Sequence, residues 1–264
     1  MQPLHKNKYI LVTVASLLGY CVPVYSADSQ TASSSIHAQI TRDALSATLA
    51  EANLAAIVAA NDSQDLPSGD GATEKRRHFD GGSLSASVGF INREKTRALN
   101  LASEADTDLD SRADALRHFG LMVHCVQDFY LRSNYVELQL EQKQNKSEPY
   151  NIALVDWSKI PDGYSGTSSG TRLTAAKQGA ADDILNKDSD CTSGGKQIVD
   201  GDVTYFKVAR DLALRETQRQ WNLFETLLRA RCGSRAPAVV AALRQADPGS
   251  AGKTSSNSSE GKDY

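Results

Sequence analysis

This chain lacks several features that mark common classes of binding protein. Its 29 lysine and arginine residues are balanced by 32 acidic residues, and the two signs are interspersed. Without a basic excess, neither a nucleic-acid-binding surface nor a polybasic membrane patch is expected. After residue 26, no apolar run approaches the roughly 20 residues that a helix needs to cross a bilayer. The sequence therefore predicts no transmembrane anchor.

The N-terminal residues have the pattern of a secretory signal. Lys6 and Lys8 precede an apolar run that ends at Val24, and small residues stand before Ala27. We therefore expect residues 1–26 to be removed and the protein to be exported, either to the periplasm or as a secreted protein. What remains suits one large domain.

No run alternates between apolar and polar residues as strands do, whereas apolar residues recur at threes and fours over long stretches. The expected fold class is all-α, with one helical metal-binding domain over residues 27–246. Residues 247–264 have little to bury and are predicted to be a disordered tail. Helices are predicted at 36–60, 84–102, 111–140, 172–185, 203–232 and from Pro237, and Asp108 or Asp110 is placed to begin the 111–140 helix. A long loop is predicted at 61–82 and a long surface excursion at 144–170.

Cysteine is scarce as well, with four in the whole chain. In an oxidising compartment, Cys191 and Cys232 are the more plausible disulfide pair because both fall near predicted helix ends or loops. Cys125 lies inside a strongly helical run and is expected to be a buried free thiol.

That same run carries the most informative pair of residues. His124 and Asp128 are four residues apart, so on a helix both side chains leave one face and can converge on one metal ion. Only His37, His78 and His118 remain as further imidazoles after the predicted signal. His118 lies six residues before His124, on a different face, and is expected at the surface or in a supporting position.

Several segments, taken in order, resemble the zinc-dependent phospholipase C superfamily, and above all its HET-C-like branch. They are IHAQITRDAL (36–45), RHFD (77–80), GLMVHCVQDFY (120–130), SNYVEL (133–138) and LNKDS (185–189). The resemblance covers roughly residues 36–220. It implies an all-helical fold with a zinc cluster at one end.

By this resemblance, the metal ligands are His37, His78, His124 and Asp128. An aspartate before the loop histidine is also implied, with Asp65 as first choice and Asp62 as second. Asp65 is the predicted catalytic residue because it could also orient the attacking water. Supporting positions are assigned to Gln127, Tyr130, Asn134 and Glu137, since ligand imidazoles need an acceptor on their other nitrogen.

The chain departs from the family pattern at two expected ligand positions. By the same resemblance, Arg132 stands where a histidine is usual, and Phe206 stands at a second such position. Arginine cannot bind a metal, so the expectation is one or two zinc ions, with the third family site absent. Arg132 could instead bind a substrate phosphate.

Two functions follow as expectations. The first is an exported, metal-dependent phosphoric-ester hydrolase that acts on phospholipids or related phosphodiesters, because a mixed His/Asp zinc site with an open position is the catalytic pattern. The second is a non-catalytic protein whose metal is structural and which binds a partner or a lipid. A nuclease is a lesser alternative, because a channel rich in cationic and aromatic residues is not evident.

Overall fold

The computed structural model describes residues 35–66, 75–79, 84–143, 151–160, 173–175 and 183–245. All of these belong to one compact unit. The predicted signal (residues 1–26) and the predicted tail (residues 247–264) lie outside the described residues, so both stay predictions.

Helices dominate the described chain, and the predicted all-α class is confirmed. None of the helices in the described ranges is long and apolar enough to span a membrane. The helices are α1 (Ile36–Leu45), α2 (Glu51–Asp62), α3 (Leu84–Ala102), α4 (Leu109–Arg132), α5 (Tyr135–Gln142), α6 (Tyr205–Cys232) and α7 (Ala236–Arg244).

Helix α4 is the centre of the fold, because α2, α3 and α6 all pack against it. Its C-terminal half is buried on nearly every side. Gly120 allows the closest approach: a Cβ at this position would lie 2.4 Å from the carbonyl oxygen of Ile57 on α2. The crossing brings the end of α2 beside the middle of α4, where His124 lies.

The single long helix predicted over residues 36–60 is wrong, because the chain turns between α1 and α2. Ala50 is extended, and its backbone N–H donates to the carbonyl of Arg244 at the end of α7. Leu45 and Leu49 are buried on both sides of the turn. The apolar spacing therefore continues across the break, which hides it in the sequence.

The helix predicted over 111–140 also contains a break. Asp108 caps α4, as expected, but the chain is extended at Ser133 before α5 begins. Ser133 pairs with Ala175 in an isolated β-bridge, and Asn134 exchanges hydrogen bonds with Thr174. Because residues 173–175 are extended, the predicted 172–185 helix is wrong there, and residues 176–182 lie outside the described ranges.

Three smaller expectations also fail. A short antiparallel hairpin joins β1 (Ile198–Asp200) to β2 (Val203–Thr204), although no strand was expected. Cys125 is a buried free thiol as predicted, but Cys232 is also free, so the predicted Cys191–Cys232 disulfide is wrong. The excursion expected on the surface at 144–170 is partly buried in its described part, through Ile152, Val155 and Ile160.

Candidate metal centre

Four side chains from three separate segments of the chain meet at the end of α2. The inner ring nitrogens of His78 (Nδ1) and His124 (Nε2) lie 3.0 Å apart. Asp128 Oδ2 lies 2.8 Å from the first and 3.3 Å from the second, and Asp128 Oδ1 lies 3.3 Å from His37 Nε2. We call these four residues, together with Asp65, the His/Asp cluster. The sequence placed all five at one metal site, and the fold brings them together.

Two overlapping triads in this cluster have ligand atoms close enough to hold a metal ion. One is His78, His124 and Asp128, and the other is His37, Asp65 and His124; in each, the ligand atoms lie within 4.8 Å of one another. His124 belongs to both triads. Imidazole nitrogen and carboxylate oxygen are ligands suited to zinc and to other divalent transition metals.

The outer nitrogens of two imidazoles are held by oxygen acceptors. His78 Nε2 lies 3.1 Å from the backbone carbonyl of Gln64, which can only accept, so this nitrogen carries the proton. His124 Nδ1 lies 3.0 Å from Asn61 Oδ1. In the neutral rings, the lone pairs therefore sit on the inner nitrogens, which face the cluster.

His37 is oriented in the same way by Gln127. Its Nδ1 lies 2.9 Å from Gln127 Oε1, and the amide of Gln127 donates on its other side to Thr41 and Thr217. Asn61 also donates to Thr41 and Gln127, so the orientations of both amides follow from one network. The network thus fixes the outer acceptors of His37 and His124 together.

Burial and close contacts shift the pKa values of the side chains in this cluster. Burial and repulsion from His37 lower the pKa of His124 to about 4, so this imidazole is neutral. Burial also disfavours charge on His37, but the nearby carboxylate of Asp128 outweighs this effect and raises the His37 pKa to about 9. The pKa of Asp128 stays well below its usual range because its imidazole neighbours and Arg132 outweigh the opposing effect of burial.

Asp65 is the solvent-facing member of the cluster. Its Oδ1 lies 3.7 Å from His124 Nε2, and 47% of its side chain is exposed, against 6% or less for the other four. The second-choice aspartate, Asp62, accepts a hydrogen bond from Ser35 at the start of α1. Asp65 is therefore the better placed of the two.

Arg132 is not a free cationic group. Its guanidinium is buried, with one NH2 nitrogen 3.1 Å from Asp188 Oδ2 and Nε 3.9 Å from Asp128 Oδ1. The predicted substrate-binding role stays a prediction, for a guanidinium that already pairs with Asp188. Asp188 is a residue that sequence reasoning missed, because its place depends on a long-range contact.

The neighbouring residue Lys187 holds Asp188 beside Arg132. The Lys187 side chain is fully buried and donates to the carbonyls of Ser133 and Leu185 and to Glu137. Its backbone N–H donates to the carbonyl of Leu131 on α4. This anchor fixes the segment beside the end of α4.

Of the four predicted supporting residues, Gln127 contacts a candidate ligand, His37. Among the described residues, Tyr130 donates to Glu216, Asn134 bonds with Thr174, and Glu137 accepts from Lys187. The residues that do support the imidazoles are Asn61 and the Gln64 carbonyl, which the sequence did not single out. His118 is buried against Glu94, 2.6 Å away, rather than at the surface.

Comparison with known proteins corrects the family resemblance. A family model described as the VWA7 N-terminal domain matches residues 30–153, just under half of the chain. The identification with the zinc-dependent phospholipase C superfamily and its HET-C-like branch is therefore wrong, and the significance given to Phe206 ends with it. A search of curated proteins and a search of solved structures found no match. The matched region contains the whole His/Asp cluster and Arg132, but not Asp188.

Proposed function

We propose that the His/Asp cluster binds zinc and that the protein is an exported, metal-dependent hydrolase of phosphoric esters. The observation that carries the metal site is the orientation of the three imidazoles, whose outer nitrogens bond to oxygen acceptors and whose inner nitrogens turn toward Asp128. Neighbouring ligands in a tetrahedral zinc site lie about 3.4 Å apart, given zinc–ligand distances near 2.1 Å. The distances from 2.8 to 3.3 Å between the cluster atoms are close to that value.

The donor set and its one exposed member support hydrolysis. His37, His78, His124 and Asp128 would hold the ion with room for one further ligand, and there zinc would supply a water of lowered pKa. Asp65 meets solvent beside His124, so its carboxylate is placed to orient that water and take up its proton. A phosphoric ester such as a phospholipid is the proposed substrate, since metal centres of this kind neutralise phosphoryl oxygens. Export rests on the signal-like residues 1–26.

A structural metal is the second candidate, and burial is the observation that favours it. His78, His124 and Asp128 are at most 1% exposed, which suits a closed site that stabilises the fold. In that case the protein would bind a partner or a lipid without turnover.

One experiment separates the two candidates. Purified protein is assayed for zinc content and for phosphorylcholine release from phosphatidylcholine, alongside hydrolysis of bis(p-nitrophenyl) phosphate. We expect bound zinc, turnover that a chelator abolishes and zinc restores, and loss of turnover in Asp65→Asn with zinc retained. Stoichiometric zinc without turnover on either substrate would support the structural candidate. Absence of zinc and of other divalent metals would refute both.

A further inference from the structure

The carboxylate of Asp128 faces two different environments. Its Oδ2 lies against the inner nitrogens of His78 and His124, whereas its Oδ1 faces His37 and the guanidinium of Arg132. On the far side of that guanidinium is Asp188. Arg132 therefore lies between two carboxylates, next to the place where a metal would bind.

Three buried atoms in this group form no hydrogen bond with the described part of the chain. They are Asp128 Oδ1, Asp188 Oδ1 and Arg132 Nε. Buried charged groups are costly unless they are paired, so two carboxylate oxygens in this state mark a place built for positive charge. Arg132 supplies one positive charge there, and a bound cation would supply the remaining positive charge.

We propose that Arg132 acts as a fixed second cation of this centre and thereby limits the His/Asp cluster to one divalent ion. With neutral imidazoles, the carboxylates of Asp65, Asp128 and Asp188 and the guanidinium of Arg132 leave two net negative charges. One divalent ion neutralises them, and a second ion would leave two positive charges in a buried site. The proposal uses the metal site described above, but it does not depend on catalysis.

Asp188 is a positioning residue in this arrangement. It holds the guanidinium against Asp128, and the Lys187 anchor keeps it there. Without Arg132, the same space would offer the carboxylate oxygens of Asp128 and Asp188 as ligands for a second ion.

The test is zinc stoichiometry by titration calorimetry and by elemental analysis after desalting. Wild type should bind one equivalent. Arg132→Gln leaves three negative charges and should bind two, whereas the double variant Arg132→Gln with Asp188→Asn restores two charges and should bind one. The control is Arg210→Gln, which removes a surface arginine paired with Asp43 and should behave as wild type.

A second variant keeps the test decisive if Arg132→Gln does not fold. Asp188→Asn removes one negative charge and leaves Arg132 unpaired, so it should still bind one zinc, but at least about tenfold more weakly. Two equivalents in wild type, or one equivalent with unchanged affinity in both Arg132→Gln and Asp188→Asn, would overturn the proposal. Two equivalents in an active wild type would leave the proposed hydrolase standing, and one equivalent without turnover would leave this inference standing.

Discussion

Two buried carboxylates lie at the C-terminal part of α4, Asp128 on the helix itself and Glu216 in contact with Tyr130, and their surroundings differ. Glu216 on α6 is fully buried and accepts hydrogen bonds from Tyr130, Trp157, Gln220 and Arg219. Both of its oxygens are bonded, and Arg219 balances its charge. The hydrogen bonds and the charge balance of this carboxylate are therefore supplied by the protein itself.

Asp128 is two residues from Tyr130 and is equally buried, yet its two oxygens do not receive the set of hydrogen bonds that Glu216 receives. Its neighbours are three imidazoles whose outer nitrogens bond to other acceptors, and its Oδ1 has no hydrogen-bond partner among the described residues. A buried carboxylate in this state is stabilised by a cation.

The difference separates a structural centre from the proposed metal centre. Glu216 joins α6 to the 151–160 segment through Trp157, and Arg219 also donates to the carbonyl of Val155. Both oxygens of Glu216 have hydrogen-bond partners within the protein. In the His/Asp cluster, Asp128 Oδ1 has none among the described residues, and each of the following experiments changes one of these two centres.

The largest effect is expected from His124→Ala. Saturating zinc should stabilise wild type by about 4 kcal/mol at a concentration one thousand times the Kd, and the variant should lose this gain because both triads share His124. The measurement is thermal unfolding with zinc and with chelator, together with zinc content.

The matched control is His118→Asn, on the same helix. His118 is buried against Glu94, which also pairs with Arg93 and Arg97, and it lies outside both triads. This variant should keep the full zinc-dependent rise in Tm. Retention of the rise in His124→Ala would remove His124 from the ligand set.

Glu216→Ala should act on stability without acting on zinc. Removing the carboxylate leaves Arg219 and the Tyr130 hydroxyl without their buried acceptor, which costs about 3 kcal/mol or more of unfolding free energy. Urea unfolding in chelator and in zinc should show the same loss, with zinc stoichiometry unchanged. A loss that appears in zinc alone would mean that the two centres are coupled.

A smaller effect is expected from the acceptor of His124. Asn61→Ala removes the oxygen that orients the ring, which should weaken zinc binding roughly tenfold to a hundredfold. Gln64→Ala is the matched control, because His78 bonds to the backbone carbonyl of Gln64, which the substitution keeps. Competition with a chromogenic zinc chelator measures both. Equal affinities in the two variants would contradict the role assigned to Asn61.

Sequence spacing alone predicted one pair of the His/Asp cluster, and both members of that pair lie on helix α4. The interval between His124 and Asp128 predicts one shared face, and the structure places both side chains in one cluster. His37, His78 and Asp65 were placed through a family resemblance that the comparisons contradict, although the fold does bring them to that cluster. The proximity therefore stands on geometry.

What the sequence missed depends on long-range contacts. Asp188 reaches Arg132 because Lys187 is anchored at the end of α4, and Glu216 meets Tyr130 because α6 packs on α4. Neither pairing has a local signal. The breaks after α1 and α4 were missed for the same reason, since the Arg244 carbonyl and the Ala175 bridge stabilise them from distant parts of the chain.

The smallest effect, a pH dependence, distinguishes the metal-free from the metal-bound cluster. Without metal, the His37 pKa is raised from 6.5 to about 9, so protonated His37 stabilises the fold below pH 6.5, and this gain is lost as the pH rises toward about 9.

Zinc needs the deprotonated Nε2 of His37, so its apparent affinity should rise up to about tenfold per pH unit across the same window. The free energy of unfolding in chelator should therefore fall as the pH rises, while the stabilisation by zinc should grow. Titrations in buffers of different ionisation enthalpy should show protons released from His37 and from His78, whose pKa Asp128 also raises against the effect of burial. His124 should release none, because its pKa is already lowered to about 4. Parallel pH slopes with and without zinc would mean that His37 does not bind the ion.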